Sequence, residues 1–360
     1  MKSATLIFSA IVTLTGALMN GNAISQPYEY DTSRKSDGKF LNQHITYSTS
    51  MGNIWDITKA YATTKRIAAT PTHIPMSEIT ADILNETQDA LFRLGHSSQL
   101  LRLDGHYVLT DPVFSERASM VQWAGPKRFH PMPISVDNLP KIAVVVLSHD
   151  HYDHLDRTTL EALAEKTQHF VVPLGLSKHL EDIIDNTKII ELDWWQSVTL
   201  EGIEFVATPA QHFSGRGLFD RDETLWASWV INSSQRKVFF SGDSGYFPGF
   251  KQIGKRYGPF DVTMVETGAY NDLWSDIHMN PEQSVQAHVD LKGQFMLPIH
   301  NSTFDLALHD WFEPLERALS ANIKHNTQML SPIFGQSVNF DDLATDNTRQ
   351  YQRSWWLNSQ

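Results

Sequence analysis

The sequence predicts a single α/β domain, and three observations predict it. Short apolar runs of strand length alternate with stretches of helical spacing between residues 90 and 321. One run, Lys141-Ile142-Ala143-Val144-Val145-Val146-Leu147, is continuously apolar after its lysine and rich in β-branched residues, the signature of a strand buried on both faces. Lone histidines and aspartates directly follow several runs, where ligand sites of α/β proteins gather.

Taken in order, residues 1–23 read as a signal peptide and 24–88 as an irregular N-terminal extension. The extension is rich in loop chemistry at 33–38 and 70–75 and has a short helix near 76–85. Strands are expected at 91–94, 99–103 and 107–110, with Asp104-Gly105 as a hairpin turn between the last two. The buried strand at 141–147 precedes a helix at 157–166, a strand at 170–173, a helix at 177–184 and a strand at 188–192. Further strands fall at 203–208, 225–231, 237–241, 262–266 and 295–299, and helices at 281–291 and 314–321. Pro281 suits a first helical turn. The domain spans 89–345, and 346–360 reads as a tail. Two groups of strands with helices outside would form a four-layer sandwich.

Composition removes several function classes. With no cysteine there is no thiol nucleophile, no cysteine zinc site and no lipoprotein anchor. A formal charge of -12, with no Lys/Arg cluster longer than a pair such as Lys255-Arg256, disfavours nucleic acid as a partner. Lys2, the apolar run from Ala4 to Met19 and the small residues Gly21-Asn22-Ala23 form a secretory pattern. The alternative is an uncleaved N-terminal anchor, for which about 16 residues is short. The expected location is periplasmic or secreted.

The chemistry concentrates where the buried strand ends. Ser148-His149-Asp150-His151-Tyr152-Asp153-His154-Leu155-Asp156 packs imidazoles and carboxylates into one turn. His149 and His151 alternate in extended chain and reach one side, whereas Asp153 and His154 lie past the turn and address a second point. One tetrahedral ion could not use all four; two ions could. His212, Asp243 and His300 each follow another apolar strand, and Gly242 permits close backbone approach beside Asp243. Taken singly, Asp243 could be a turn residue and His300 a core histidine; the set is what carries weight.

The ordered set His149-x-His151-x-Asp153-His154, His212, Asp243 and His300 resembles the metallo-β-lactamase superfamily. Within it, the chain is most similar to the N-acylphosphatidylethanolamine-hydrolysing phospholipase D group. Leu94-Gly95-His96-Ser97-Ser98, Thr110-Asp111-Pro112-Val113-Phe114, Gly125-Pro126-Lys127-Arg128-Phe129, Gly268-Ala269-Tyr270 and His278-Met279-Asn280-Pro281-Glu282 extend the likeness over about residues 90–315. The resemblance implies an α/β, four-layer αββα sandwich. It implies one divalent ion on His149, His151 and His212, a second on Asp153, His154 and His300, and Asp243 bridging them. Asp111, His278 and His96 would then be supporting or substrate-side residues. Two features depart from the family: Asn301-Ser302 replaces a frequent Trp-Gly, and Glu266 stands where an apolar residue or Pro is usual. Both bear on head-group preference.

The resemblance implies a dinuclear hydrolase, with zinc the metal that best suits His and carboxylate ligands. Asp153 and Asp243 would position a bridging hydroxide for attack. The expected activity is a phosphodiesterase of phospholipase D type on N-acylphosphatidylethanolamine-like lipids. Alternatives are a lactonase, amidase or carboxylic ester hydrolase on the same site, or, in another class, a non-catalytic metal-binding envelope protein. Partners are then a small-molecule or lipid substrate and peripheral membrane contact. Trp194-Trp195 and Leu218-Phe219 could line an acyl-chain groove or simply pack, and Arg216 of Ser214-Gly215-Arg216-Gly217 could reach an anionic group.

Overall fold

The apolar run at 141–147 sets the architecture. In the computed structural model, which describes residues 32–45, 51–86, 88–345 and 347–359, it forms a strand, Ile142–Val146, buried along its length. Val144 and Val146 enter one core while Ile142, Val145 and Leu147 enter another. Both faces are therefore covered, as a run without polar alternation requires. Each large apolar side chain so withdrawn contributes on the order of 1.5–3 kcal/mol.

The extension holds β1 (Arg34–Ser36) and β2 (Lys39–Leu41), paired antiparallel, then α1 (Met51–Thr63) and α2 (Ala81–Glu86). The first sheet contains β3 (Ala90–Gly95), β4 (Ser98–Leu103), β5 (His106–Thr110), β6 (Ile142–Val146), β7 (Thr167–Pro173) and β8 (Ile189–Leu192), with α3 (Arg157–Leu163) between β6 and β7. The second contains β9 (Ser197–Leu200), β10 (Ile203–Thr208), β11 (Ser228–Asn232), β12 (Lys237–Phe240), β13 (Phe260–Glu266), β14 (Gly293–Ile299) and β15 (Gln328–Met329). Interleaved with these are α4 (Gly249–Arg256), α5 (Pro281–Leu291) and α6 (Glu313–His325). β16 (Ser337–Asn339) returns to the first sheet beside β3, and α7 (Phe340–Ala344) follows it.

The strand orders are β16-β3-β4-β5-β6-β7-β8 and β15-β14-β13-β12-β11-β10-β9. Leu160 and Leu163 of α3 cover the outer face of the first sheet; α5, flanked by α4 and α6, packs on β13 and β14. The result is the α/β sandwich: two mixed sheets face to face, flanked by helices. Asp104 and Gly105 both take positive φ, as a tight hairpin turn needs. Asn280 caps α5 in a capping box with Gln283, with Pro281 in the first turn.

Strand direction decides where chemistry can collect. β5 to β8 run parallel, and two antiparallel steps bring β3 into the same direction. In the second sheet β12, β13 and β14 run parallel, and β10 joins them through antiparallel β11. The carboxyl ends of these strands therefore gather at one end of each sheet.

Several expectations need correction. The extension is not irregular throughout: α1 is a helix of 13 residues, hidden in the sequence because Gly52 and Asn53, both weak helix formers, open it. The helix expected at 76–85 is confined to Ala81–Glu86, and that expected at 177–184 is a short 3-10 turn, Leu176–His179, followed by irregular chain. Residues 355–356 of the expected tail are core: Trp355 and Trp356 pack with Trp311, Leu315 and Phe334. The expected signal peptide lies outside the described residues.

Candidate metal centre

The candidate residues arrive at one point because each follows a strand that ends there. β6 leads into 148–154, β10 into His212, β12 into Asp243, β14 into His300, β5 into Asp111 and β3 into His96. Gly242 lets the approach happen: a Cβ at this residue would lie 2.5 Å from Ser148 Cβ, and its φ is +55°. His300 itself adopts φ +62°.

All seven expected ligands meet. On one side, His149 Nε2 lies 2.9 Å from His151 Nδ1, and His212 Nε2 lies 3.3 Å from the same atom. On the other, Asp153 Oδ2 lies 3.2 Å from His300 Nε2 and 3.5 Å from His154 Nε2. Asp243 Oδ2 reaches both groups: it is 3.1 Å from His154 and from His300, and 3.9 Å from His149 and from His212. A tetrahedral ion with bonds of about 2.05 Å sets its ligand atoms about 3.3 Å apart, so these separations fit two cation positions sharing Asp243.

The rings are aimed from behind. Ser148 Oγ meets His149 Nδ1 at 2.9 Å, Asp111 Oδ2 meets His154 Nδ1 at 2.6 Å, and His212 Nδ1 meets Ile277 O at 3.0 Å. Occupying Nδ1 leaves Nε2 free to face a cation. Asp111 is the hub, accepting also from Ser148 N and Oγ. His96 Nε2 bonds Asp153 Oδ2 at 3.0 Å and its ring lies 4.0 Å from that of His300, so it supports the second position directly.

The electrostatics call for positive charge. Burial holds His149 and His212 well below the usual imidazole pKa, with neighbouring histidines adding to it, so both stay neutral as metal ligands must. At His154 and His300 burial opposes the cation, but Asp243 and Asp153 outweigh it; His154 rises well above its ordinary value and His300 to about 10. Buried Asp243 Oδ1 has no hydrogen-bond partner among the described residues. An unpaired carboxylate oxygen at that depth is costly unless a cation takes it.

A cleft of about 290 Å³ opens over the cluster. Its floor is His151, Asp153, Asp243, His278 and His300; its walls include Ile57 and Tyr61 of α1, Phe213, Trp274, Ile277 and Leu306. The α1 wall had no signal in the sequence beyond the one-turn spacing of Ile57 and Tyr61. His278 lines the cleft while its Nδ1 contacts Glu266 Oε1, and Glu266 also accepts from Ser244 N at 2.7 Å.

Other side chains differ from expectation. Glu266 is fully buried, its Oε1 contacts His278 Nδ1, and its carboxylate lies within 4.8 Å of ligand atoms of Asp243 and His300. Asn301 turns inward to accept from Arg93 Nη2 at 2.8 Å. The Arg216 guanidinium donates to Asp150 O and Leu155 O and stacks on Tyr152, so it is spent on the 148–156 turn and not on a substrate. Trp194 and Trp195 are core, with Trp194 Nε1 donating to Trp226 O. Leu218 and Phe219 stand 90% and 88% exposed, lining no groove.

Fold and cluster together define a metal-dependent hydrolase scaffold. Residues 106–301 match the beta-lactamase superfamily domain, and the chain belongs to the metallo-β-lactamase superfamily. It is 43% identical over 290 residues to an uncharacterized protein of Mycobacterium tuberculosis, covering 79% of this chain and 77% of that one. It is 34% identical over 260 residues to N-acyl-phosphatidylethanolamine-hydrolyzing phospholipase D 1 of Caenorhabditis elegans, covering 68% and 73% respectively. In fold it is similar to a metallo hydrolase of the archaeon Ignicoccus hospitalis, with a TM-score of 0.54 at 21% identity over 69% of this chain and 97% of that one.

Proposed function

We propose that this protein holds two divalent ions, zinc by its ligand chemistry, and hydrolyses a phosphodiester of a glycerophospholipid in the manner of a phospholipase D. The observation that carries the reading is Asp243 Oδ2, within 3.9 Å of ligand nitrogens from both groups and beneath a mostly apolar cleft. The likeness to the Caenorhabditis elegans enzyme supports the lipid class.

Two cations, when bound, would supply a water acidified toward neutrality and stabilise negative charge on the phosphoryl and leaving oxygens. The chain's residues do the rest. Asp153 and Asp243 accept hydrogen bonds at the cluster and orient the attacking oxygen. Glu266 fixes His278 at Nδ1, which turns the opposite ring edge toward the cleft, where it can hold a substrate oxygen. Ile57, Tyr61, Phe213 and Leu306 exclude water and accept an acyl chain. Exposed Leu218 and Phe219, on the loop that follows Phe213, would touch a bilayer from which the lipid is drawn. Among the described residues no helix is long and apolar enough to cross a membrane. We place the protein in the periplasm or outside the cell, on the secretory pattern of its first 23 residues.

One observation favours a second reading. No Lys or Arg is among the described residues that line the cleft, so only the cations would meet a phosphate's charge. A carboxylic ester, lactone or amide needs no such partner. Purified, metal-analysed protein should be offered N-acylphosphatidylethanolamine, phosphatidylethanolamine, lactones and acyl amides, with metal-stripped protein as the blank. Release of phosphatidic acid supports the first reading; turnover of lactones or amides alone replaces it with the second.

A further inference from the structure

His212 lies four residues beyond the end of β10, past the reach of its sheet's pairing. β10 ends its pairing at Thr208, and Pro209-Ala210-Gln211 carries the chain onward. His212 is fully buried, so its peptide groups need partners inside the protein. Asn42, from the N-terminal extension 170 residues away in sequence, supplies both. Its Nδ2 donates to His212 O at 2.7 Å, and its Oδ1 accepts from His212 N at 3.0 Å. One carboxamide thus imitates the paired bonds of a neighbouring strand.

The residues before Asn42 are fastened to the same region. Phe40 N donates to Asp222 O at 2.7 Å, Lys39 Nζ donates to Arg221 O at 2.7 Å, and Phe40 is buried in the central core. The His212 ring is fixed separately, through Nδ1 and Ile277 O. Backbone and ring are therefore held by separate partners, and Nε2 is left toward His151 and Asp243.

We infer that Asn42 is a positioning residue for the metal centre: the N-terminal strap sets His212 and so completes the His149/His151/His212 cation position. The inference rests on the metal-centre reading above. The matched family segment, 106–301, does not contain this residue, so part of what shapes the site lies outside it. Amide chemistry makes the role specific. Asp at this position could accept from His212 N but would set a carboxylate against His212 O; Ala would leave both groups unpaired.

The test compares the full chain with Asn42→Ala, Asn42→Asp and Lys39→Ala, each loaded with zinc. Lys39→Ala removes one bond of the strap, Lys39 Nζ to Arg221 O, and leaves the Asn42 carboxamide on His212 in place. Zinc release to a chromophoric chelator is followed in time, with thermal unfolding beside it, and the visible spectrum of cobalt-loaded protein reports ligand geometry. We expect one of two release phases to accelerate about tenfold or more in both Asn42 variants, as replacement of an outer-shell partner does. The second phase should stay unchanged, Lys39→Ala should behave as wild type, and the cobalt spectrum should shift in the Asn42 variants only. If Lys39→Ala loses as much stability and releases zinc as fast, the strap acts only through folding and the inference is overturned. Wild-type zinc uptake with unaltered release from both Asn42 variants overturns it as well. A wild-type protein that takes up no zinc sinks the metal-centre reading itself.

Discussion

Asp111 is the carboxylate on which the second cation position hangs, and replacing it with Asn isolates that dependence. It is fully buried and accepts at 2.7 Å from Ser148 N, at 2.5 Å from Ser148 Oγ and at 2.6 Å from His154 Nδ1. Its φ of +34° is one that Asn tolerates well, so backbone strain does not confound the change. The amide keeps the shape but sets an NH2 either against Ser148 N, in place of Oδ1, or against both Ser148 Oγ and His154 Nδ1, in place of Oδ2. Losing a hydrogen bond to a charged group removes about 1.5–3 kcal/mol. At 1.4 kcal/mol per decade that is roughly 10- to 100-fold in zinc affinity, matching what outer-shell partners contribute. Competition against a chelator of known affinity at neutral pH measures it, with circular dichroism confirming that the fold survives. An affinity within about twofold of wild type would refute the claim that Asp111 sets the His154 ring.

Two further outcomes are expected. His288 is fully buried, its Nδ1 lies 2.7 Å from Thr263 Oγ1, and burial lowers its pKa to about 4. The unfolded chain, with a histidine pKa of about 6.5, binds the proton more readily, so stability is complete above that pH and falls as pH drops toward 4, by on the order of 3 kcal/mol. Urea unfolding of wild type and His288→Asn near neutral pH and at about pH 4.5 should show the gap between them narrowing in acid; a gap equal at both pH values contradicts it. Leu218→Asp combined with Phe219→Asp should abolish co-sedimentation with phosphatidylcholine vesicles while leaving hydrolysis of a soluble short-chain substrate unchanged. Undiminished vesicle binding would remove the loop from the membrane account.

The fold was legible where pattern and burial agree. The unbroken β-branched run at 141–147 has the pattern of a two-sided strand and Asp104-Gly105 that of a tight turn, and both are found so. The candidate ligands were legible because strand-end chemistry is local: each residue follows its own strand by a few positions. What escaped was every contribution made across the chain. Asn42 is one asparagine among loop residues until the fold sets it against His212. α1 opens on Gly52 and Asn53, both weak helix formers, yet two of its side chains form a wall of the cleft. Arg216 looked available to a ligand, but sequence spacing cannot show that Asp150 O and Leu155 O already take its guanidinium. Trp355 and Trp356 sit at the chain end, where burial depends on partners more than 20 residues earlier such as Phe334.

Asp243 reaches both cation positions, so counting metal in its absence bears on the account most directly. Elemental analysis of the purified protein should find about two zinc ions per chain, falling to one or fewer in Asp243→Ala with hydrolysis lost. A variant that keeps both ions and full activity, or a wild-type chain that binds none, would contradict it.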